Sequence, residues 1–128
     1  MKVLVTADRH YKDEFIVATV LSGFYQAAID VYEDLTIIEG GGRGGDEMAR
    51  KWGRNLEGVE HITVEAEWMK YGKPAGPIRN RKMFDEHEPD VVIAFHDDLE
   101  RSKGTRDMVD YAKSQGAAVY VISHHELG

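Results

Sequence analysis

Short apolar runs alternate along the chain with longer segments in which apolar residues recur at helical spacing. Five runs predict strands, at residues 3–6, 35–38, 61–64, 91–95 and 118–122. The first, fourth and fifth are nearly continuous in Val, Ile, Leu and Ala, a composition typical of parallel strands that are covered on both faces.

Between these runs, apolar residues at three- and four-residue steps predict four helices. The first two are residues 15–31 and 46–56. The third begins with Pro77, a residue favoured in a first helical turn. The fourth covers residues 105–115 and ends at Gly116.

This alternation predicts an α/β fold, in which helices cover both faces of an open, mostly parallel five-stranded sheet. A chain of 128 residues is expected to form one domain, residues 1–128. In such sheets, ligands bind beyond the carboxyl ends of the strands. The loops expected there are residues 7–11, 40–45 and 96–104. Residues 65–76 are expected to be an irregular functional loop.

The strongest candidate for a ligand site is residues 39–46, Glu-Gly-Gly-Gly-Arg-Gly-Gly-Asp. Glycine lets backbone N–H groups approach a ligand, and the start of the next helix adds unpaired N–H groups and a positive dipole end. The segment therefore predicts a cradle for phosphate or another anion. The alternative, a tight strand-to-helix connection without a ligand, needs only one or two glycines.

Gly40, Gly42 and Gly45 also match the dinucleotide motif G-x-G-x-x-G, with Glu65 twenty residues after Gly45. However, the motif follows the second strand rather than the first, and Asp46 opposes a pyrophosphate at the helix start. A nicotinamide or flavin site is therefore disfavoured. A P-loop is excluded because no Lys-Ser or Lys-Thr follows the glycines. No cofactor is expected.

Two further helix starts carry groups that suit an anion. Arg79 and Asn80 follow Pro77, and the planar fork of arginine pairs well with phosphate. Gly104 and Thr105 open the last helix, where N–H and hydroxyl groups are available. Taken alone, each segment is also compatible with an ordinary solvated helix start.

No metal site is expected. His96, Asp97 and Asp98 are adjacent at a strand end, and adjacent residues rarely point to one centre. His124 and His125 are expected to be surface residues.

The formal net charge of −7 disfavours non-specific nucleic-acid binding but allows one small anionic ligand in a locally basic pocket. No apolar run approaches the ~20 residues that span a membrane. The amino terminus does not resemble a signal peptide, and the chain has no cysteine. A cytoplasmic protein is expected.

These motifs together resemble the SLOG superfamily, which includes the Lonely Guy phosphoribohydrolases and the Smf/DprA proteins, and in particular its small YspA-like branch of bacteria and phages. That branch typically shows T-G-S-R and an aromatic, G-G-A-R-G-A-D, a Trp with K-Y-G-K, A-G-P-I-R-N-R-x-M, and G-T-x-D-M-V. The matching segments are residues 6–11, 40–46, 68–73, 75–83 and 104–109. The likeness covers nearly the whole chain.

The resemblance implies a Rossmann-like three-layer α/β/α domain that binds a nucleotide or nucleotide-derived ligand, and a homodimer. The expected phosphate and ribose contacts are Arg9, Gly41, Gly42, Arg43, Gly44, Gly45, Asp46, Arg79, Asn80, Gly104 and Thr105. The expected partners of sugar hydroxyls are Glu39, Asp46 and Asp107. Trp68 and Tyr71 are expected to cover a base, with core packing of Trp68 as the alternative.

The chain also departs from the pattern. Asp8 stands where a small Gly-Ser pair is usual. In the Lonely Guy enzymes, G-T-x-x-E supplies a catalytic glutamate; Met108 stands at that position here, whereas their catalytic arginine matches Arg79. Cleavage of nucleoside 5′-monophosphates, with Arg79 as the catalytic residue, is therefore the second hypothesis. A protein-interaction module with a vestigial pocket is the third.

Overall fold

The computed structural model describes residues 1–124, so His125 lies outside the described residues. The five predicted strands are all present: β1 (Lys2–Ala7), β2 (Leu35–Glu39), β3 (Val59–Thr63), β4 (Val91–Phe95) and β5 (Ala118–Ile122). They form one sheet in the order β3-β2-β1-β4-β5, and its strand pairings are all parallel. The predicted α/β fold is confirmed.

The helices are α1 (Glu14–Asp30), α2 (Gly45–Gly53), α3 (Trp68–Tyr71), α4 (Ala75–His87) and α5 (Gly104–Ser114), with a 3₁₀ turn at Leu99–Arg101 before α5.

The prediction of an irregular loop at residues 65–76 is wrong. The segment contains α3, which ends where Gly72 adopts φ 66° and donates its N–H to the oxygen of Trp68. It also contains the start of α4, two residues before Pro77. Proline is tolerated there because the first N–H groups of a helix have no partner within the helix.

The side chains of β1 alternate between the two faces of the sheet, as strand geometry requires. Val3 and Val5 pack with α1 and α2, whereas Leu4 packs with α4 and α5. The result is the three-layer α/β/α arrangement. Met108 of α5 is fully buried in the second layer.

The strand order reverses between β1 and β4, because β2 and β3 lie on one side of β1 while β4 and β5 lie on the other. Ala7 is level with Phe95, so both strands end at the same height. This position is where open parallel sheets bind ligands. In the part of the chain that the structure describes, no helix has the length and apolar character needed to cross a membrane.

Candidate functional site

The loop from Gly40 to Gly44, hereafter the glycine loop, joins β2 to α2 and lies against the end of β1. Gly44 has φ 66°, and a β-carbon there would lie 2.5 Å from the backbone oxygen of Asp8. A β-carbon on Gly45 would collide with the side chain of Ala7. The Gly45 N–H donates to the Asp8 oxygen at 3.3 Å. Both glycines are therefore required by packing; a ligand contact at either stays a prediction.

Glu39 holds the glycine loop from inside the protein. Its fully buried carboxylate accepts the Gly41 N–H at 3.0–3.1 Å, Nη1 of Arg50 at 2.6 Å and the Thr63 hydroxyl at 3.3 Å. Arg50 also donates to the Gly42 oxygen at 2.8 Å. The expectation that Glu39 binds a sugar hydroxyl is wrong, because its oxygens are enclosed and already bonded.

Arg50 was missed by the sequence analysis. Its position one turn after Asp46, on the same helix face, was the available signal.

Asp46, the second residue of α2, is 7% exposed. One of its oxygens accepts the Gly42 N–H at 3.2 Å, and the other, Oδ1, has no hydrogen-bond partner among residues 1–124. Burial, with a further contribution from the charge of Glu39, raises the pKa of Asp46 to about 7, although the Gly42 N–H and Arg79 act in the opposite direction. The carboxyl group therefore changes charge near neutral pH.

The carboxyl groups of Glu39 and Asp46 occupy backbone N–H groups that were predicted to bind an anion. The N–H groups of Gly41 and Gly42 both donate to carboxylates of the protein itself. A phosphate reaches these N–H groups only by displacing Glu39 or Asp46. The predicted backbone contacts of the two glycines are therefore not open in this structure.

Arg79, on α4, extends to the glycine loop. Its Nη1 donates to the Gly40 oxygen at 2.8 Å and its Nε to Oδ1 of Asn80 at 2.9 Å. Burial lowers the pKa of the guanidinium, while Asp46 and Glu39 raise it; arginine nevertheless stays protonated. Within the described residues, Nη2 makes no hydrogen bond and no carboxylate lies within 4 Å of the guanidinium. The structure thus brings Arg79 and the glycine loop together.

A cleft of about 310 Å³, hereafter the glycine cleft, lies between these two elements. It is lined by Gly40, Gly41, Gly42, Glu65, Ala66, Trp68 and Arg79. Trp68 is 58% exposed, so the alternative of core packing for this residue is wrong. A second cleft, of about 340 Å³, shares Arg79 and Glu65 with the first and includes Tyr71 and Lys82.

The other two arginines of the predicted site lie elsewhere. Arg9 and Arg43 line a separate cleft of about 460 Å³ together with His10 and Gly42. Gly42 lines both this cleft and the glycine cleft, so the two clefts meet at the glycine loop. Arg9 donates to Nε2 of His10 at 3.3 Å.

Asn80 is almost fully buried and is engaged on both sides of its amide. Its oxygen accepts from Arg79, and its nitrogen donates to the Gly104 oxygen at 3.2 Å and to Asp107 at 3.0 Å. The expectation that Asn80 holds a phosphate or ribose directly is therefore not supported by its surroundings. It connects α4 to α5 instead.

Asp107 is also paired within the protein. Arg81 donates to both of its oxygens, at 2.7 and 3.1 Å, and its guanidinium lies 4.3 Å from the ring centre of Tyr111. Partial burial raises the pKa of Asp107, but the hydrogen bonds from Arg81 and Asn80 outweigh it and lower the pKa. The expected role of Asp107 with a sugar hydroxyl is replaced by this network, and Arg81 is a partner that the sequence did not reveal.

The start of α5 is closed by protein groups. Ser102 accepts the Thr105 N–H at 3.1 Å, and the Thr105 hydroxyl is buried, 3.5 Å from that of Thr6. Gly104 is exposed, and its N–H group is compatible with the predicted anion contact. Met108 faces the core, so no acid occupies the position of the Lonely Guy glutamate.

The histidines at the strand ends pair with carboxylates. Nε2 of His96 lies 3.9 Å from Asp8, and Nδ1 of His124 lies 2.8 Å from Asp97. Between residues 1 and 124, no three side chains of the metal-binding types are grouped as a metal site.

The fold and the strand ends define a Rossmann-like α/β protein with a glycine loop at the carboxyl edge of its sheet. A family model described as "YspA, cpYpsA-related SLOG family" matches residues 1–71. The chain is 35% identical to the Gene 61 protein of Mycobacterium phage D29 over 123 residues, which are 92% of this chain and 93% of that protein. No solved structure matches. The chain therefore belongs to the YspA, cpYpsA-related SLOG family, as its motifs indicated.

Proposed function

We propose that this protein binds a nucleotide or a nucleotide-derived anion in the glycine cleft, with a phosphate group of the ligand on Arg79. The resemblance of its motifs to the SLOG superfamily implies a ligand of this kind. The position of the cleft at the carboxyl edge of a parallel sheet supports the same proposal.

One observation carries the proposal: Arg79 is a partly buried cation without an ion-pair partner in the described chain. Buried charges are normally paired, because an isolated charge is costly to remove from water. Arg50, whose side chain is 22% exposed, obeys this rule, since it contacts the carboxylate of Glu39 at 2.6 Å. Among residues 1–124, Arg79 instead contacts only a backbone oxygen and an amide oxygen, and its Nη2 is left to bind an anion that enters the cleft.

The remaining walls of the cleft suit the other parts of a nucleotide. Trp68 offers an exposed ring against which a base stacks. Glu65, rather than Glu39, accepts the hydroxyl groups of the sugar, because it is exposed and lines the same cleft. Arg9 and Arg43 extend the site past Gly42 for a longer ligand with a second anionic group.

Hydrolysis in the manner of Lonely Guy is not part of this proposal, because the acid it needs is replaced by the buried Met108. The proposal does include a homodimer, as the resemblance implies. It also places the protein in the cytoplasm, where a chain without cysteine is suitable. Light scattering of the purified protein measures the oligomeric state.

The test is ligand-induced thermal stabilisation with AMP, GMP, CMP, UMP and inorganic phosphate. A ligand that binds only the folded state raises Tm, by several degrees when its concentration is far above Kd. We expect at least one nucleotide to do so in the wild type and to lose the effect in Arg79→Ala. Arg54→Ala, an exposed arginine at the far end of α2, is the matched control and retains the effect. An equal shift in Arg79→Ala would overturn the proposal.

A further inference from the structure

Four side chains behind the glycine cleft form one continuous hydrogen-bonded network between α4 and α5. Arg81 donates to both oxygens of Asp107, and Asp107 accepts from the amide nitrogen of Asn80 at 3.0 Å. The amide oxygen of Asn80 accepts Nε of Arg79 at 2.9 Å, and Arg79 reaches the oxygen of Gly40. The network thus runs from α5 to the glycine loop.

The chemistry of its members fixes the direction of the Asn80 amide. Nε of Arg79 can only donate, whereas the carboxylate of Asp107 and the oxygen of Gly104 can only accept. Only one amide orientation satisfies all three neighbours. The opposite one places the NH₂ group against an N–H donor and the oxygen against two acceptors, at a site that is 2% exposed. Buried polar groups left in this way are strongly unfavourable.

We infer that Asp107, held by Arg81, is a positioning residue: it sets the Asn80 amide, which in turn holds the Arg79 guanidinium towards the ligand phosphate. This inference rests on the proposed function, because the ligand is what gives the orientation of Arg79 its purpose. Asp107 itself touches no ligand. Binding is stronger when the recognising group is held in place before the ligand arrives, since less freedom is then lost on binding.

Asp107→Asn tests the inference, because it keeps the shape of the side chain but adds a donor beside Asn80 and Arg81. The matched control is Asp110→Asn, the same change on α5 at an exposed residue that lies 3.7 Å from Nε of Arg106. A second variant, Arg81→Met, removes the guanidinium that holds Asp107 and leaves the carboxylate in place.

The readout is the Nε–H signal of Arg79 in ¹⁵N–¹H NMR spectra of the unliganded protein, assigned by its loss in Arg79→Lys. We expect exchange of this proton with water to become at least tenfold faster in Asp107→Asn and in Arg81→Met, and to stay within twofold in Asp110→Asn. If the exchange rate of the Arg79 Nε–H is unchanged in Asp107→Asn and in Arg81→Met, the network only connects the two helices and the inference is overturned. This holds even if both variants have a lower Tm.

Titration with AMP by calorimetry links this readout to binding. We expect the Kd to be about tenfold higher in Asp107→Asn, because one hydrogen bond that holds the charged Arg79 is lost. The Kd of Asp110→Asn should be unchanged. A wild type that binds none of the four nucleoside monophosphates and no inorganic phosphate would count against the proposed function. The exchange rate of the Arg79 Nε–H still decides, by itself, whether Asp107 positions the arginine.

Discussion

The guanidinium of Arg79 lies directly on the backbone of Gly40, with Nη1 2.8 Å from the carbonyl oxygen. This contact joins the first turns of α4 to the glycine loop, between residues that are 39 positions apart in the sequence. Arg79 also lines the glycine cleft, and within residues 1–124 its second amino group makes no hydrogen bond, which is the basis of the proposed binding site.

The first prediction concerns Gly40. A β-carbon at this position would collide with Nη1 of Arg79, so Gly40→Ala forces the guanidinium away from the loop. We expect the variant to lose nucleotide-induced stabilisation in a thermal melt. Gly23→Ala is the control, because no atom of residues 1–124 lies within 4 Å of a β-carbon there and alanine favours the helix by up to ~1 kcal/mol. Full retention of nucleotide binding by Gly40→Ala would contradict the prediction.

The second prediction is a pH dependence of stability that originates in Asp46. Because the pKa of this carboxyl is raised to about 7 in the folded protein from an ordinary 3.8, the folded state holds the extra proton between these values. The contribution to stability is complete below about pH 4 and is lost as the pH rises through 7. The full difference corresponds to at most about 4 kcal/mol.

Asp46→Asn removes this titration and keeps an acceptor for the Gly42 N–H. In urea denaturation we expect the variant to match the wild type near pH 4 and to exceed it in free energy of unfolding by an increasing amount as the pH rises to 8. Asp110→Asn, an exposed carboxylate, should show no such divergence. A variant less stable than the wild type at pH 8 would show that the charged form of Asp46 is favoured in the fold.

The third prediction concerns the pair of Glu39 and Arg50. Arg50→Met leaves the fully buried carboxylate of Glu39 without its cation, and such a loss typically costs about 3–5 kcal/mol. The double variant Glu39→Gln/Arg50→Met should recover part of the loss, since no charge is then buried. Arg54→Met serves as the exposed control. Equal urea midpoints for Arg50→Met and the wild type would rule out the structural role of this pair.

The fourth prediction separates binding from hydrolysis. Incubation with the four nucleoside monophosphates should release no free base on chromatography, because Met108 replaces the catalytic acid. Met108→Glu should lower Tm sharply rather than create activity, since it places an unpaired carboxylate in the core. Base release that disappears in Arg79→Ala would establish the hydrolase instead.

The fold could be predicted from the sequence because the spacing of apolar residues and the composition of each run depend only on neighbouring residues. Each apolar run became a strand, and the glycines and Pro77 marked the ends of elements. The start of α4 was misplaced, because a proline is compatible with several positions in a first turn and the sequence does not say which one it occupies.

The elements of the site were also predicted, but the partners of its charged residues were not. Whether a carboxylate faces a ligand or folds back onto the chain depends on tertiary packing. Glu39 and Asp46 were expected to face the ligand, yet both accept N–H groups of the glycine loop. Arg81 was given no partner from the sequence, and only the approach of α5 shows that it pairs with Asp107.

The central claim is that an anion of nucleotide type occupies the cleft beside Arg79. Mass spectrometry of the small molecules that accompany the purified protein tests it without any assumption about the ligand. We expect a phosphate-bearing nucleotide derivative with the wild type and with Arg54→Ala, and none with Arg79→Ala. A wild type that carries no such compound, or an Arg79→Ala variant that carries the same amount, would contradict the claim.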